Sequence, residues 1–74
     1  MSAALPVCTG AEAVRAFKKI GWVVDRQKGS HIILKKAGAA VVLSIPQHNP
    51  LGKGLLRSLI SDSGSTVDQF AKLL

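Results

Sequence analysis

The sequence predicts an α+β fold: a three-stranded antiparallel sheet with helices on one face, in the order α-β-β-β-α-α, forming a two-layer sandwich. Three observations predict it. An apolar stripe at helical spacing opens the chain, short runs rich in β-branched residues fill its middle, and helical spacing returns in the last third.

The first helix is expected in "TGAEAVRAFKKIG". Thr9 suits the N-cap, Glu12 stands three residues on as its capping-box partner, and Gly21 can end the helix. Val14, Phe17 and Ile20, with Ala13, form its apolar stripe, and Arg15, Lys18 and Lys19 face elsewhere. The period then changes. "WVVDRQ" and "HIILKK" read as strands separated by Lys28, Gly29 and Ser30, a hairpin turn with Gly29 at positive φ. "KAGAA" makes a second tight connection, and "VVLSI" is a third strand closed by Pro46.

"PQHNPLGKG" reads as a loop, because two prolines, an asparagine and two glycines leave no regular pattern. After it, Leu55, Leu56, Leu59 and Ile60 recur at helical spacing up to Gly64, a C-cap candidate. Thr66 and Gln69 can cap a last short helix that turns Val67, Phe70 and Leu74 inward. On the central strand, alternation places Ile32, Leu34 and Lys36 on one side and His31, Ile33 and Lys35 on the other. Burying Ile32 and Leu34 under the helices leaves His31 and Lys35 on the open face, beside the turn that carries Lys28.

Seventy-four residues, 47% of them apolar, suffice for one domain over residues 1–74 but not for an enclosed substrate cavity. Chemistry must therefore sit on an exposed surface, which favours a macromolecular substrate. The formal charge is +6, and the stretch from Arg15 to Lys36 sets seven cations against Asp25 alone. A field of this sign attracts polyanions, nucleic acid first among them. Phe17, Trp22 and Phe70 are too few to make a base-stacking platform, so contact with the phosphate backbone is expected rather than base reading. Cys8 has no partner for an intrachain disulfide, which suits a reducing compartment. "MSAALPVCTGAEAV" lacks a basic leader and is interrupted by Pro6, and no apolar run approaches a membrane span, so a cytoplasmic location is expected.

Several chemistries fit poorly. Cys8, His31 and His48 have no zinc-ligand spacing, so no metal is expected. Ser30 and His31 are adjacent on an extended chain and project to opposite faces, which weakens a Ser-His hydrolase. The "GKG" at 52–54 lacks the outer residues of a phosphate-binding P-loop, though it could present N–H groups at a helix start. RNA cleavage by internal transfer asks for less. The 2′-OH is already in place as nucleophile, so the protein needs a proton carrier of near-neutral pKa and cations for the developing phosphorane charge. His31 suits the first role and Lys28, Arg26 and Lys35 the second. His48 is a possible second acid or base.

"RQKGSH" preceded by Gly21 and Trp22, the "P-H" loop, and the "G-LRS-I" helix at these distances resemble the HicA family of mRNA interferase toxins, also called YcfA-like proteins. The resemblance runs from about Thr9 to the C-terminus. It implies a double-stranded-RNA-binding-domain-like fold, metal-free cleavage of mRNA with His31 as the catalytic residue, and a cognate HicB antitoxin that occludes the site. The family's basic turn matches Arg26, Lys28 and Gly29, followed here by Ser30, and its helix start matches Lys53, Gly54, Leu56 and Arg57. The expected RNA-contacting set is thus Arg26, Lys28, Gly29, Ser30, Lys35, Lys53 and Arg57. The competing reading is a noncatalytic RNA-binding domain in which His31 only hydrogen-bonds the backbone.

Overall fold

A computed structural model describes residues 4–74. Residues 1–3, part of the N-terminal stretch expected to lack a basic leader, lie outside the described residues. Helix α1 (Gly10–Lys18) is followed by strands β1 (Val23–Lys28), β2 (His31–Lys35) and β3 (Leu43–Pro46), then by helices α2 (Lys53–Asp62) and α3 (Val67–Leu73). The order α-β-β-β-α-α is the one the sequence predicts. The sheet is antiparallel in the order β1-β2-β3. Its thinnest dimension, 18 Å, matches one sheet plus one layer of helices about 10 Å away.

Local chemistry explains the element ends. Thr9 and Glu12 form the expected capping box: the Thr9 N–H donates to Glu12 Oε1 at 2.8 Å and the Glu12 N–H to Thr9 Oγ1 at 3.1 Å. Thr66 and Gln69 repeat the device at α3, at 2.9 and 3.1 Å. Gly29 has φ +60° and Ser30 a negative φ, so the β1–β2 link is a two-residue turn of the II′ pattern, with Lys28 and His31 as its closing pair.

The core lies between the helices and the inner face of β2 and β3. Phe17, Trp22, Leu34, Leu43, Ile45, Leu56 and Phe70 are its largest sealed side chains. Phe17 and Phe70 tie α1 to α3 with ring centroids 4.9 Å apart. Trp22 is buried at the end of the α1–β1 connection, and its indole N–H has no partner among the described residues.

Several expectations need correction. On α1, Ala16 is buried with Ala13 and Phe17, while Val14 is only half-buried, as is Ile20 in the turn beyond the helix. Helix α2 begins at Lys53, so Lys53 and Gly54 belong to the helix and not to the preceding loop. Leu55 is 39% exposed, because only Leu56, Leu59 and Ile60 fall on the inward arc. In α3 Leu73 packs against the core and Leu74 turns out. The third strand starts at Leu43, leaving Val41 and Val42 exposed in the connection. Ile33 lies on the open face as expected, yet it is only 9% exposed, being the centre of the middle strand.

One irregularity decides how β1 is read. Val24 pairs with Leu34 and Arg26 with Ile33, so Asp25 is an extra residue, a bulge. Every residue of β1 is exposed. The helices pack over β3 and leave β1 as an uncovered edge.

Candidate functional site

One end of the sheet brings together several of the candidate residues. Lys28 closes β1, His31 opens β2 and Pro46 ends β3, and these three are direct neighbours across the sheet: His31 pairs with Lys28 on one side and with Pro46 on the other. Cross-strand partners share a face. Leu34 points into the core, so alternation places His31, Lys28 and Arg26 together on the open face. All three are exposed, as are Gly29 and Ser30 of the turn.

The loop after β3 is fixed to this end by three backbone hydrogen bonds. The Gln47 N–H donates to the Ser30 carbonyl at 2.8 Å, the Gly10 N–H to the His48 carbonyl at 2.9 Å, and the Leu51 N–H to the Cys8 carbonyl at 2.9 Å. Between the last two the chain carries a cis Asn49-Pro50 bond. His48 is thereby held on a tied loop beside the turn that precedes His31, with its side chain exposed. Gly10 makes this closeness possible. A Cβ there would collide with the Pro46 carbonyl oxygen and stand 2.9 Å from Gln47 Cα.

The start of α2 follows this tied loop, with Lys53 two residues beyond Leu51. Gly52 caps α2 with no side-chain hydrogen bond, and the first turn holds no acid. The positive end of the helix dipole therefore adds to the Lys53 charge. The start of α1 contrasts with this, because its dipole is met by Glu12. Arg57 follows one turn along α2, about 6 Å further on, and is exposed.

Lys35 stands apart. It lies at the other end of β2, about 13 Å from His31 along the strand, and its Nζ is 3.6 Å from Asp25 Oδ1. Its charge is partly matched there. Arg26, Lys28, Lys53 and Arg57 form no salt bridge among the described residues. The cationic run from Arg15 to Lys36 also divides in space. Arg15 and Lys18 ride on α1 in the helix layer and Lys19 caps its end, where the Lys19 ammonium donates to the Leu73 carbonyl at 2.7 Å. Lys36 approaches Gly21 on the core side of the sheet.

Cys8 is buried, and burial together with the nearby Glu12 charge raises its thiol pKa above the usual 9.0. It remains a protonated thiol at neutral pH, unsuited to nucleophilic attack. Among the described residues no three His, Cys, Asp or Glu side chains form a group that could hold a metal ion. No helix among them is long and apolar enough to cross a membrane.

Sequence reasoning missed Gly10, Pro46 and Gln47 as parts of the site. The two prolines of "PQHNP" signal irregular backbone, but which segment that backbone would bond to is long-range information. A family model described as HicA toxin of bacterial toxin-antitoxin matches residues 10–65, a span that contains every candidate residue from Arg26 to Arg57. No curated protein matches the chain.

Proposed function

The chain belongs to the HicA toxin family and is thus a toxin of a toxin–antitoxin system, with an antitoxin as partner; on that premise we propose that it is an endoribonuclease that cleaves mRNA through His31 and is neutralised by a HicB-type antitoxin. The observation that carries this reading is the Lys28–His31 pair: a proton carrier and a cation side by side on an open, uncovered face. Such a surface can receive a single RNA strand, which a deep cleft in so small a domain could not.

In the proposed reaction His31 takes the proton of the ribose 2′-OH as that oxygen attacks the adjacent phosphorus. The bond from phosphorus to the 5′ oxygen breaks, leaving a 2′,3′-cyclic phosphate on one fragment and a 5′-OH on the other. The 5′ oxygen receives its proton from His48 or from a water molecule. Lys28 and Arg26 neutralise the charge that builds on the non-bridging oxygens, and this charge matching acts in the transition state rather than on the bound strand. Gly29 and Ser30 let the backbone of the turn approach the phosphate closely. Lys53 and Arg57 extend the contact along α2, and Lys35, tied to Asp25, supplies a weaker outer contact. No step needs a metal, since the nucleophile is intramolecular.

The test is His31→Ala with purified protein and a defined RNA. Cleavage should fall by about 10²- to 10⁴-fold, the contribution of one positioned proton carrier, with the circular dichroism spectrum unchanged. A folded variant that cleaves as fast as the parent rejects the assignment. Should the parent bind RNA without cutting it, the protein is an RNA-binding domain instead.

A further inference from the structure

The exposed edge of β1 has a property that neither its sequence nor its fold shows alone. The two-residue turn makes Lys28 and His31 the closing hydrogen-bonded pair, so alternation turns the N–H and C=O of Gln27 outward. Beyond the bulge the same holds for Val24, which opposes Leu34. The outward-bonding positions are therefore 24 and 27, with two residues between them. The side chains follow a matching pattern. Val24 and Gln27 lie on the core side, while Val23, Asp25, Arg26 and Lys28 lie on the open side, Asp25 being placed there by its contact with Lys35.

Read backwards, both patterns are unchanged. An antiparallel copy of β1 laid against this edge puts Val24 opposite Gln27 of the other copy, so that outward N–H and C=O groups meet in two hydrogen-bonded pairs. It also puts Val23 opposite Lys28 and Asp25 opposite Arg26, twice, on the same face. A strand without a bulge could not do this, because in that register each residue would meet one pointing to the opposite face. The alignment joins unlike charges and sets no two like charges directly opposite. It also shelters Val23 and Val24, which are 58% and 47% exposed.

We propose that β1 is a self-pairing edge: two copies of this chain join antiparallel through Val23–Lys28, with Asp25 of each facing Arg26 of the other, to form one continuous six-stranded sheet. Charged residues and a bulge on an edge strand ordinarily discourage such pairing. Here the bulge sits at the two-fold centre and sets Asp25 of each copy against Arg26 of the other, so both features favour one register. The two His31 side chains then lie on one shared open face.

The experiment is sedimentation equilibrium or light scattering over a concentration series, with the fold checked by circular dichroism. The parent should move from 7.8 kDa toward twice that mass as concentration rises. Asp25→Arg or Arg26→Asp alone sets like charges opposite each other and should hold the chain at the lower mass. The double exchange, Asp25→Arg with Arg26→Asp, recreates unlike pairs and should restore the heavier species. Gln27→Pro gives an independent check. It removes an outward N–H, which an edge strand tolerates in the lone molecule, and should abolish the heavier species. A parent that stays at 7.8 kDa up to its solubility limit overturns the proposal. So does a folded double variant no heavier than the two singles, or a folded Gln27→Pro variant as heavy as the parent.

Discussion

Gly10→Ala should destabilise the protein although alanine is the better helix former. At an ordinary helical position the exchange gains roughly 0.5–1 kcal/mol. At Gly10 the new methyl group would run into the Pro46 carbonyl oxygen and lie 2.9 Å from Gln47 Cα and 3.0 Å from Gln47 Nε2. The side-chain amide can swing away, but the backbone cannot, because the Gln47 N–H is bonded to Ser30 at 2.8 Å. Relief requires α1 and the loop to part, which strains the 2.9 Å bond from Gly10 to His48. Forcing one methyl group into a packed contact costs about 1–3 kcal/mol, and weakening a hydrogen bond costs about 0.5–1 kcal/mol more. Set against the helix gain, a net loss of about 1–3 kcal/mol remains. For a domain of this size that is a fall in Tm of about 5–20 °C. Gly54→Ala is the control. It lies inside α2 with nothing within 4 Å of the added carbon, and it should raise Tm. Thermal unfolding followed by circular dichroism reads both. If Gly10→Ala raised Tm as Gly54→Ala does, the close approach of helix and loop would be wrong.

Other outcomes follow from the same structure. Lys28→Ala should lower the dependence of RNA affinity on salt by about one phosphate contact, a change in logarithmic slope of about 0.7 for a single strand. Lys18→Ala, on the opposite layer, should leave the slope as it is; equal effects of the two would refute the assignment of the open face. Phe70→Ala removes a sealed ring that meets Phe17 and should cost about 3–5 kcal/mol. That is of the order of the whole stability of a core this small, so the variant should be largely unfolded at 25 °C by circular dichroism. Glu12 is held below its usual carboxyl value of 4.5 by hydrogen bonds with the Thr9 backbone and side chain. A depressed folded pKa gives stability that is present above 4.5 and lost as the pH falls through the folded value. Glu12→Gln keeps an acceptor and removes the titration, so its denaturation midpoint should fall less than the parent's on acidification below 4.5. Parallel curves would exclude Glu12 as a contributor.

How far each part of this molecule can be read in advance depends on the range of the interaction behind it. Caps are decided within four residues, so Thr9 with Glu12 and Thr66 with Gln69 are visible in the letters. The turn at Gly29 is equally local, and alternation along β2 places His31 once Leu34 is assigned to the core. Helix faces are read less well, because a stripe of leucines does not say which arc meets the sheet. Leu55 and Leu74 face out and Ala16 faces in for reasons of docking angle. The bulge at Asp25 has no local signal, and it changes the facing of everything before it on β1. The ties among Cys8, Gly10, Ser30, Gln47, His48 and Leu51 are backbone to backbone, so no side-chain pattern announces them. Charge shows the reverse case: one cationic run in the sequence splits between two layers, and only its middle part reaches His31.

The three ties that hold the loop also govern when the site exists. Gly10 leaves the ribosome early and His48 much later, and neither the bond between them nor the bond from Ser30 to Gln47 can form until both segments are out. The aromatic pair of Phe17 and Phe70 defers the core further still, until Phe70 has emerged. A ribosome partway through this message therefore carries a tether without a finished site. The strand pair and the loop beside His31 come together only once every residue from Gly10 to His48 has emerged, so a nascent chain exposes the cationic turn before it exposes the fixed surface around it.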